Sequence, residues 1–354
     1  MWQLLSAQTW CGSLLFIHAL RCLRRNLRGL ALRSASRQQH KSCEPQFTTA
    51  AMSMDQIETG TLCTGGVISK APDVIRVVSW NIARGYRLDG VTEFLLNNKA
   101  DLIILQETDR NSRRTLYRNI AKEIAQKLRM NYVFGIEFQE LSQGSYQSPA
   151  YHGQATLSPW PISKAHILRF QRQSKFWHPY WWAPKLPFLQ RRLGGRMALR
   201  TDVSIGNRTL VVYNLHLESR SDDSLRRSQL IESFEDANRY SSNVPVVTAG
   251  DFNFDITQPG PSSAIANASF YNPFAGIAIQ TTRPPRFGRS KAVDWILIRG
   301  GLRAASPQVH SSVTASDHYP VSLELHLPQV SDPCYEAASS RDDLGCPDLV
   351  DCPH

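Results

Sequence analysis

Between residues 64 and 333 the chain has no cysteine. All 7 cysteines lie outside that stretch, with Cys11, Cys22, Cys43 and Cys63 ahead of it and Cys334, Cys346 and Cys352 behind. The body of the protein therefore needs neither a disulfide framework nor thiolate metal ligands. The tail cysteines with His354 fit no zinc-binding spacing and read as unpaired thiols. Long, strongly apolar runs are also missing from the body, which excludes a multi-span membrane protein. No internal repeat is found, and Gly and Pro stand at only 20 each, which excludes solenoid, collagenous and low-complexity chains. What remains is a globular composition, 42% hydrophobic and 20% charged over 354 residues, enough for one large domain or two ordinary ones.

Acid is absent from the basic start of the chain. Residues 1–43 carry six Arg, one Lys and no Asp or Glu, for a charge of +7. Residues 328–354 carry six acids against one Arg, for −5. The remaining chain is still +8 of the total +10, which favours an anionic partner such as nucleic acid or a lipid headgroup surface. Four regions follow: a basic leader 1–43, a polar linker 44–72, a body 73–327 and an acidic, loosely held tail 328–354.

The first 20 residues are uncharged, and Arg21, Arg24, Arg25 and Arg28 follow. An acid-free leader rich in Arg and Ser reads as a mitochondrial transit peptide. A signal-anchor with a positive cytoplasmic flank is the alternative, although Gln3, Ser6, Gln8, Thr9 and Ser13 dilute its hydrophobicity. A secretory signal fits less well, so the sequons at Asn207 and Asn267 carry little weight. Met52 and Met54 offer alternative starts that would lack the leader.

In the body, β-branched and apolar runs alternate with a few helical periods. Strands are expected at 74–80, 102–105, 131–137, 153–158, 163–170, 195–204, 208–216, 244–249, 293–299 and 319–326. Helices are expected at 89–98, with Asp89 as cap, at 113–128 on the spacing of Leu116, Ile120, Ile124 and Leu128, and at 222–239. So many strands with hairpin-length connections point to two packed sheets covered by helices rather than one parallel doubly wound sheet.

Each apolar strand ends in an unusual polar set. These are Trp80-Asn81, Gln106-Glu107, Asn214-Leu215-His216-Leu217, Gly250-Asp251-Phe252-Asn253, Val293-Asp294 and Ser316-Asp317-His318-Tyr319-Pro320. Taken singly, each has an ordinary explanation: Asn81 as a turn, Glu107 as a helix cap, His216 as a core histidine. Six such sets at the ends of apolar strands would converge on one edge of the core, where they need one another or a metal.

The ordered set resembles the endonuclease/exonuclease/phosphatase superfamily from about residue 75 to 327. The resemblance implies an α/β fold, a four-layer α/β sandwich of two mixed, mostly antiparallel sheets packed face to face with helices outside. It also implies metal-dependent phosphoester cleavage with Mg²⁺ or Mn²⁺. By the same resemblance Glu107 is the main metal ligand, with Asn81 and Asp317 nearby, and hard oxygen donors suit such ions. Asp251 would position or deprotonate the attacking water, and Asn253 would donate its amide to a phosphate oxygen. Asp294 would hold His318 in one tautomer beside the phosphate. His216 would bind the phosphate or protonate the leaving group. A histidine at this point is closer to the deoxyribonuclease, deadenylase and phosphatase branches than to the apurinic endonucleases.

Substrate choice is read from other residues. The 61 residues of 141–201 hold no acid and nine cations, namely Lys164, Arg169, Arg172, Lys175, Lys185, Arg191, Arg192, Arg196 and Arg200. Inside lies the run Phe176-Trp177-His178-Pro179-Tyr180-Trp181-Trp182, which lacks a strand or helix period and reads as an inserted loop. Its aromatics could stack on unpaired bases while cations track phosphates, dip into an anionic membrane through 172–192, or fold back as a satellite core. A second basic loop runs from Arg283 through Arg286 and Arg289 to Lys291. Arg84, Tyr151, His152 and Arg196 are the candidate substrate contacts, with Arg87 beside Arg84.

The expected function is a Mg²⁺-dependent phosphodiester hydrolase acting on DNA or RNA. A lipid phosphodiesterase or phosphatase is the alternative within the enzyme class. A non-catalytic binding protein on the same fold is the third reading, and the presence of every polar residue of the set argues against it.

Overall fold

The computed structural model describes residues 52–61, 72–177, 189–284 and 289–328. All of them belong to the unit Pro45–His354. The leader 1–43, the tail beyond Pro328 and the aromatic run beyond Trp177 lie outside the described residues.

The chain order is β1 (Ile57–Gly60), β2 (Val74–Arg84), α1 (Leu88–Asn98), β3 (Leu102–Arg110), α2 (Ile120–Leu128), β4 (Asn131–Glu140), β5 (Ala150–Ser158) and β6 (Ile162–Arg169). There follow β7 (Arg192–Gly194), β8 (Met197–Ile205), β9 (Arg208–His216), α3 (Asp223–Ala237), β10 (Val246–Asp251), α4 (Pro259–Asn267), β11 (Asp294–Arg299), β12 (Arg303–Val309) and β13 (Val321–His326). One sheet runs β1-β4-β5-β3-β2-β13-β12, with β7 also on β4; the other runs β11-β10-β9-β8-β6. Each sheet has one parallel pair, β2 with β3 and β9 with β10, in an otherwise antiparallel ladder.

Alternation along β2 and β3 builds the layers. Ile75, Val77, Leu102 and Ile104 join the core shared with the second sheet. Val78, Trp80, Ile103 and Leu105 point the other way and pack with Leu88, Val91, Leu95, Ile120 and Ile124 of α1 and α2. The second sheet repeats this division. Asn214 on β9 reaches the first sheet, donating to the carbonyls of Leu105 (2.9 Å) and Ala155 (3.0 Å). Its neighbour Tyr213 faces outward and donates to Asp236 of α3 at 2.8 Å. The order of layers is helix, sheet, sheet, helix. Strands buried on both faces explain why their sequences read as unbroken apolar runs.

The structure corrects several local expectations. Residues 113–118 do not join the helix: Arg113–Thr115 forms a single 3-10 turn, and α2 begins at Ile120 with Asn119 accepting from the Lys122 N–H. Arg114 is the reason, since its guanidinium folds back to Asp109 (2.7 Å) and Glu140 (2.9 Å). Leu116 is left 79% exposed in the left-handed region. Asp89 caps nothing; it sits in the first turn of α1, and the cap position is Arg87. Ile57–Gly60, inside the stretch read as linker, is a strand paired to β4. Glu58 secures it through Arg110, Asn119 (2.6 Å) and the Tyr132 hydroxyl (2.7 Å). β12 and α4 were not foreseen. β12 alternates intermediate with exposed positions and has no buried face to mark it. α4 carries only Pro261 and Ile265 as buried anchors.

Candidate active site

The polar residues converge because strand register brings them together. His216 ends β9 and Asp251 ends β10, paired directly across the parallel ladder. Asp294 begins β11 and pairs with Asp251 from the other side. In the first sheet, Asn81 and Glu107 lie where the β2–β3 and β3–β5 registers slip. Such bulges add a residue to one strand and re-aim side chains. Glu107 has φ +52, and Ala83 and Arg84 have φ +46 and +68. Held in a region that few side chains adopt, these positions carry backbone strain at the active edge. The segment entering β13 closes the site: Ser316 Oγ donates to the Asn81 carbonyl (2.7 Å), and the Trp80 indole N–H donates to the His318 carbonyl (2.9 Å).

Asp251 is the centre. Its Oδ2 accepts from the Asn81 amide at 3.0 Å and lies 3.6 Å from His216 Nε2 and 3.8 Å from His318 Nε2. Its Oδ1 accepts from the Asn253 backbone N–H at 2.9 Å. Asn253 adopts φ +59 and spends one amide hydrogen on the Leu217 carbonyl (3.0 Å), leaving the other for a ligand. Asp294 approaches His318 Nδ1 at 2.8 Å. The Asp294 and Val293 backbone N–H groups donate to Thr281 Oγ at 3.0 Å each. Glu107 meets Arg84 at 3.2 Å.

Electrostatics follow this geometry. Burial alone would raise the Glu107 carboxyl, but Arg84 and then His152, His216 and His318 outweigh it and hold it at about 2. Burial would lower His318, yet the Asp294 and Asp251 carboxylates raise it to about 10. Burial, with Asp251 adding to it, pushes Asp294 up. At neutral pH the pair is therefore a carboxylate holding a protonated imidazole.

The profile of the Endonuclease/Exonuclease/phosphatase family matches residues 78–318. The chain belongs to this family. As a family member it is a phosphoester hydrolase by reaction class. No curated protein sequence matches it. Its fold is similar to that of the endonuclease/exonuclease/phosphatase from Beutenbergia cavernae DSM 12333, at 18% identity over 72% of each chain with TM-score 0.54. Similar too are a family protein from Bacteroides vulgatus (15% identity, 73% of this chain and 100% of the other, TM-score 0.51) and TDP2 from Caenorhabditis elegans (18%, 72% and 74%, TM-score 0.50).

Family members of this kind imply a divalent ion. Two groups of side chains bear on where it would sit. Asp251, Asp294 and His318 place three ligand atoms within 4.8 Å of one another. A protonated His318 among them repels a cation, and its Nδ1 is already committed to Asp294. Glu107, Asn81 and Asp317 instead offer oxygen donors, with Glu107 ionised beside Arg84, the Asn81 oxygen accepting from the Ala83 N–H at 3.1 Å and Asp317 exposed. That set fits Mg²⁺ or Mn²⁺.

Three candidate substrate contacts are enclosed. Arg196 is only 5% exposed and pairs with buried Glu137, with a second bond to Ser219 at 3.0 Å. Tyr151 is buried, exchanging bonds with the Met52 backbone. His152 is buried against Phe138, its Nδ1 2.8 Å from Asp109. Of the nine cations in 141–201, Arg169, Arg192, Arg196 and Arg200 pair with Asp55, Glu140, Glu137 and Asp236, all from outside that segment.

Glu137 was not picked out from the sequence. It sits where the β4–β5 register slips between Ile136 and Phe138, and its fully buried carboxylate reaches both Arg196 and His216 Nδ1 (3.1 Å). Burial would raise it, but Arg196 and His216 hold it far below the usual carboxylate range. The single charge in Gly135-Ile136-Glu137-Phe138 was the available signal. Thr281 left none.

Proposed function

We propose that the protein is a divalent-metal-dependent phosphodiesterase acting on nucleic acid. The observation that carries this reading is the ring of Asn81, His216, His318 and Asn253 around Asp251, with Glu107 at the β3 bulge, near enough for His216 and His318 to lower its carboxyl. Glu107, Asn81 and Asp317 would hold the ion, which when bound supplies charge neutralisation at the phosphate. Asp251 orients the attacking water and takes its proton as the new P–O bond forms. Protonated His318, fixed through Nδ1 by Asp294, directs its Nε2–H to a phosphate oxygen, and Asn253 adds its free amide hydrogen. His216 has Nδ1 committed to Glu137, so Nε2 is the nitrogen that delivers a proton to the departing oxygen as the old P–O bond breaks. The products are a phosphomonoester and an alcohol.

Nucleic acid is favoured by the charge of the body and by Arg283, Arg289 and Lys291. These three form no ion pair among the described residues, and the Arg283 N–H donates to the Asp317 carbonyl at 2.8 Å, beside the site. A lipid phosphodiester is the second reading, favoured by the Phe176 ring, 41% exposed at the start of the aromatic run. We further propose mitochondrial targeting by the leader, with membrane anchoring as its alternative; imaging of a tagged full-length chain decides between them. No helix among the described residues is long and apolar enough to cross a membrane.

The test offers the purified protein single-stranded DNA, single-stranded RNA, duplex DNA, sphingomyelin vesicles and an inositol phosphate, each with Mg²⁺. A Glu107→Gln control runs in parallel. Cleavage of a polynucleotide that disappears in the control supports the proposal. Release from lipid alone replaces it with the second reading, and full activity in Glu107→Gln refutes the assigned site.

A further inference from the structure

A groove of about 530 Å³ opens between the segment 274–280 and the edge strand β12, with Tyr319, the chain neighbour of His318, in its lining. Ile277, Ile279 and Val309 supply apolar walls, while Gln280, Gln308 and Tyr319 supply polar ones; among the described residues none of the lining is charged. Among the described residues, the two glutamine amides and the Tyr319 hydroxyl have no side-chain hydrogen-bond partner.

The fold builds this opening in two ways. β12 loses register with β13 between Ala305 and Gln308, where Ser306 turns to φ +51 ahead of Pro307. A bulge of this kind on an edge strand re-aims the residue that follows it. The opposite wall is tied to the catalytic residues on both sides. The Thr281 and Thr282 N–H groups donate to the Lys291 carbonyl at 2.7 and 3.1 Å. On the other side the Tyr319 N–H donates to the Thr281 carbonyl at 2.7 Å. Gln280 and Tyr319 in the groove are thus chain neighbours of Thr281, which holds the Asp294 backbone, and of His318. The groove is lined by the same two segments that carry Thr281 and His318.

The lining selects what fits. A phosphate needs cations, and among the described residues those of the neighbouring loop, Arg283, Arg289 and Lys291, are not in the lining. A fatty acyl chain would strip water from two amides and a phenol without replacing those bonds. A nucleobase presents an apolar face to Ile277, Ile279 and Val309 and a donor–acceptor edge to Gln280 and Gln308. We propose that this groove binds the base of the nucleotide adjoining the scissile phosphate. The inference rests on the nucleic-acid reading of the active site.

Two measurements on the full chain test it. First, dAMP and inorganic phosphate are titrated against the wild type and a Gln280→Leu/Gln308→Leu double variant, with ligand-observed NMR as the readout. Both positions are exposed, so the fold should survive. The expected result is dAMP binding weakened about tenfold or more, the scale of lost amide hydrogen bonds, with phosphate unaffected. Absent dAMP binding, or equal affinity in the variant, overturns the proposal. Second, thymidine 5′-p-nitrophenyl phosphate is compared with methyl p-nitrophenyl phosphate. The variant should raise KM only for the thymidine ester and keep kcat for both; equal effects on both esters count against the groove. If the wild type hydrolyses neither ester, the reading of the active site fails, and the dAMP titration alone decides the groove. Loss of turnover on sphingomyelin vesicles with dAMP binding unchanged also overturns the proposal, assigning the groove to lipid.

Discussion

Replacing Glu137 with Gln keeps shape and removes one charge from a fully buried site. In the wild type that charge faces the Arg196 guanidinium and the His216 imidazole. Arg196 is itself buried, so losing the carboxylate leaves a cation enclosed without its counterion. Stranding one member of a buried pair costs about 3–5 kcal/mol, which the urea unfolding midpoint reads directly. Turnover should fall about 10- to 100-fold in addition, since His216 loses the acceptor that fixes its ring. Two controls separate the effects. Arg196→Met in the same chain should recover most of the stability, because no unpaired ion remains, but not the activity. The pH dependence supplies a sign. The folded-state value of Glu137 is depressed, so its contribution is fully present above the unfolded value of about 4.3 and is lost as pH falls below it. Wild type should therefore lose more stability than Glu137→Gln between about pH 5 and pH 3. A Gln variant within about 0.5 kcal/mol of wild type, with an unchanged acid limb, would refute the electrostatic account of this residue.

Other perturbations test separate parts of the structure. Gly250→Ala places a Cβ 1.9 Å from the Leu215 carbonyl oxygen at φ +146, and the strain should cost about 3 kcal/mol or more by urea unfolding. Glu58→Ala removes the shared acceptor of Arg110, Asn119 and Tyr132 and should cost about 2–4 kcal/mol, whereas a stretch that is only a linker would show no change. Leu116→Lys should fall within about 0.5 kcal/mol of wild type, while Ile120→Ala costs about 2–4 kcal/mol; equal costs would return Leu116 to the helix face.

The legible part of this protein was local. Val74–Trp80, Leu102–Leu105 and Val246–Ala249 declare themselves as strands because residues apolar on both faces belong to sheets covered on both sides. The helix at 222–239 was readable as well, since Asp222 caps it and its buried positions recur at helical spacing. Where helical spacing competed with a distant charge, the charge won: Leu116 carries the period, but Arg114 turns back to Asp109 and Glu140. The segment 52–60 reads as linker because 44–72 is polar and rich in Gly, Ser and Thr, yet one of its polar residues, Glu58, is what anchors the strand.

The strands, and two packed sheets covered by helices, were legible from the residues alone, because backbone periodicity is written in neighbouring residues; the ordered polar sets added the resemblance that implied the family and its four-layer sandwich. Tertiary structure alone decided which cations are free. Arg196 and Arg283 are equivalent in sequence, yet one is buried against Glu137 and the other sits beside Asp317 with no ion pair among the described residues. Coulomb energies depend on distance and burial, and the partners here lie 59 residues apart for Arg196–Glu137 and 79 for His216–Glu137. No local pattern encodes such a separation; only the packing of one sheet on the other closes it.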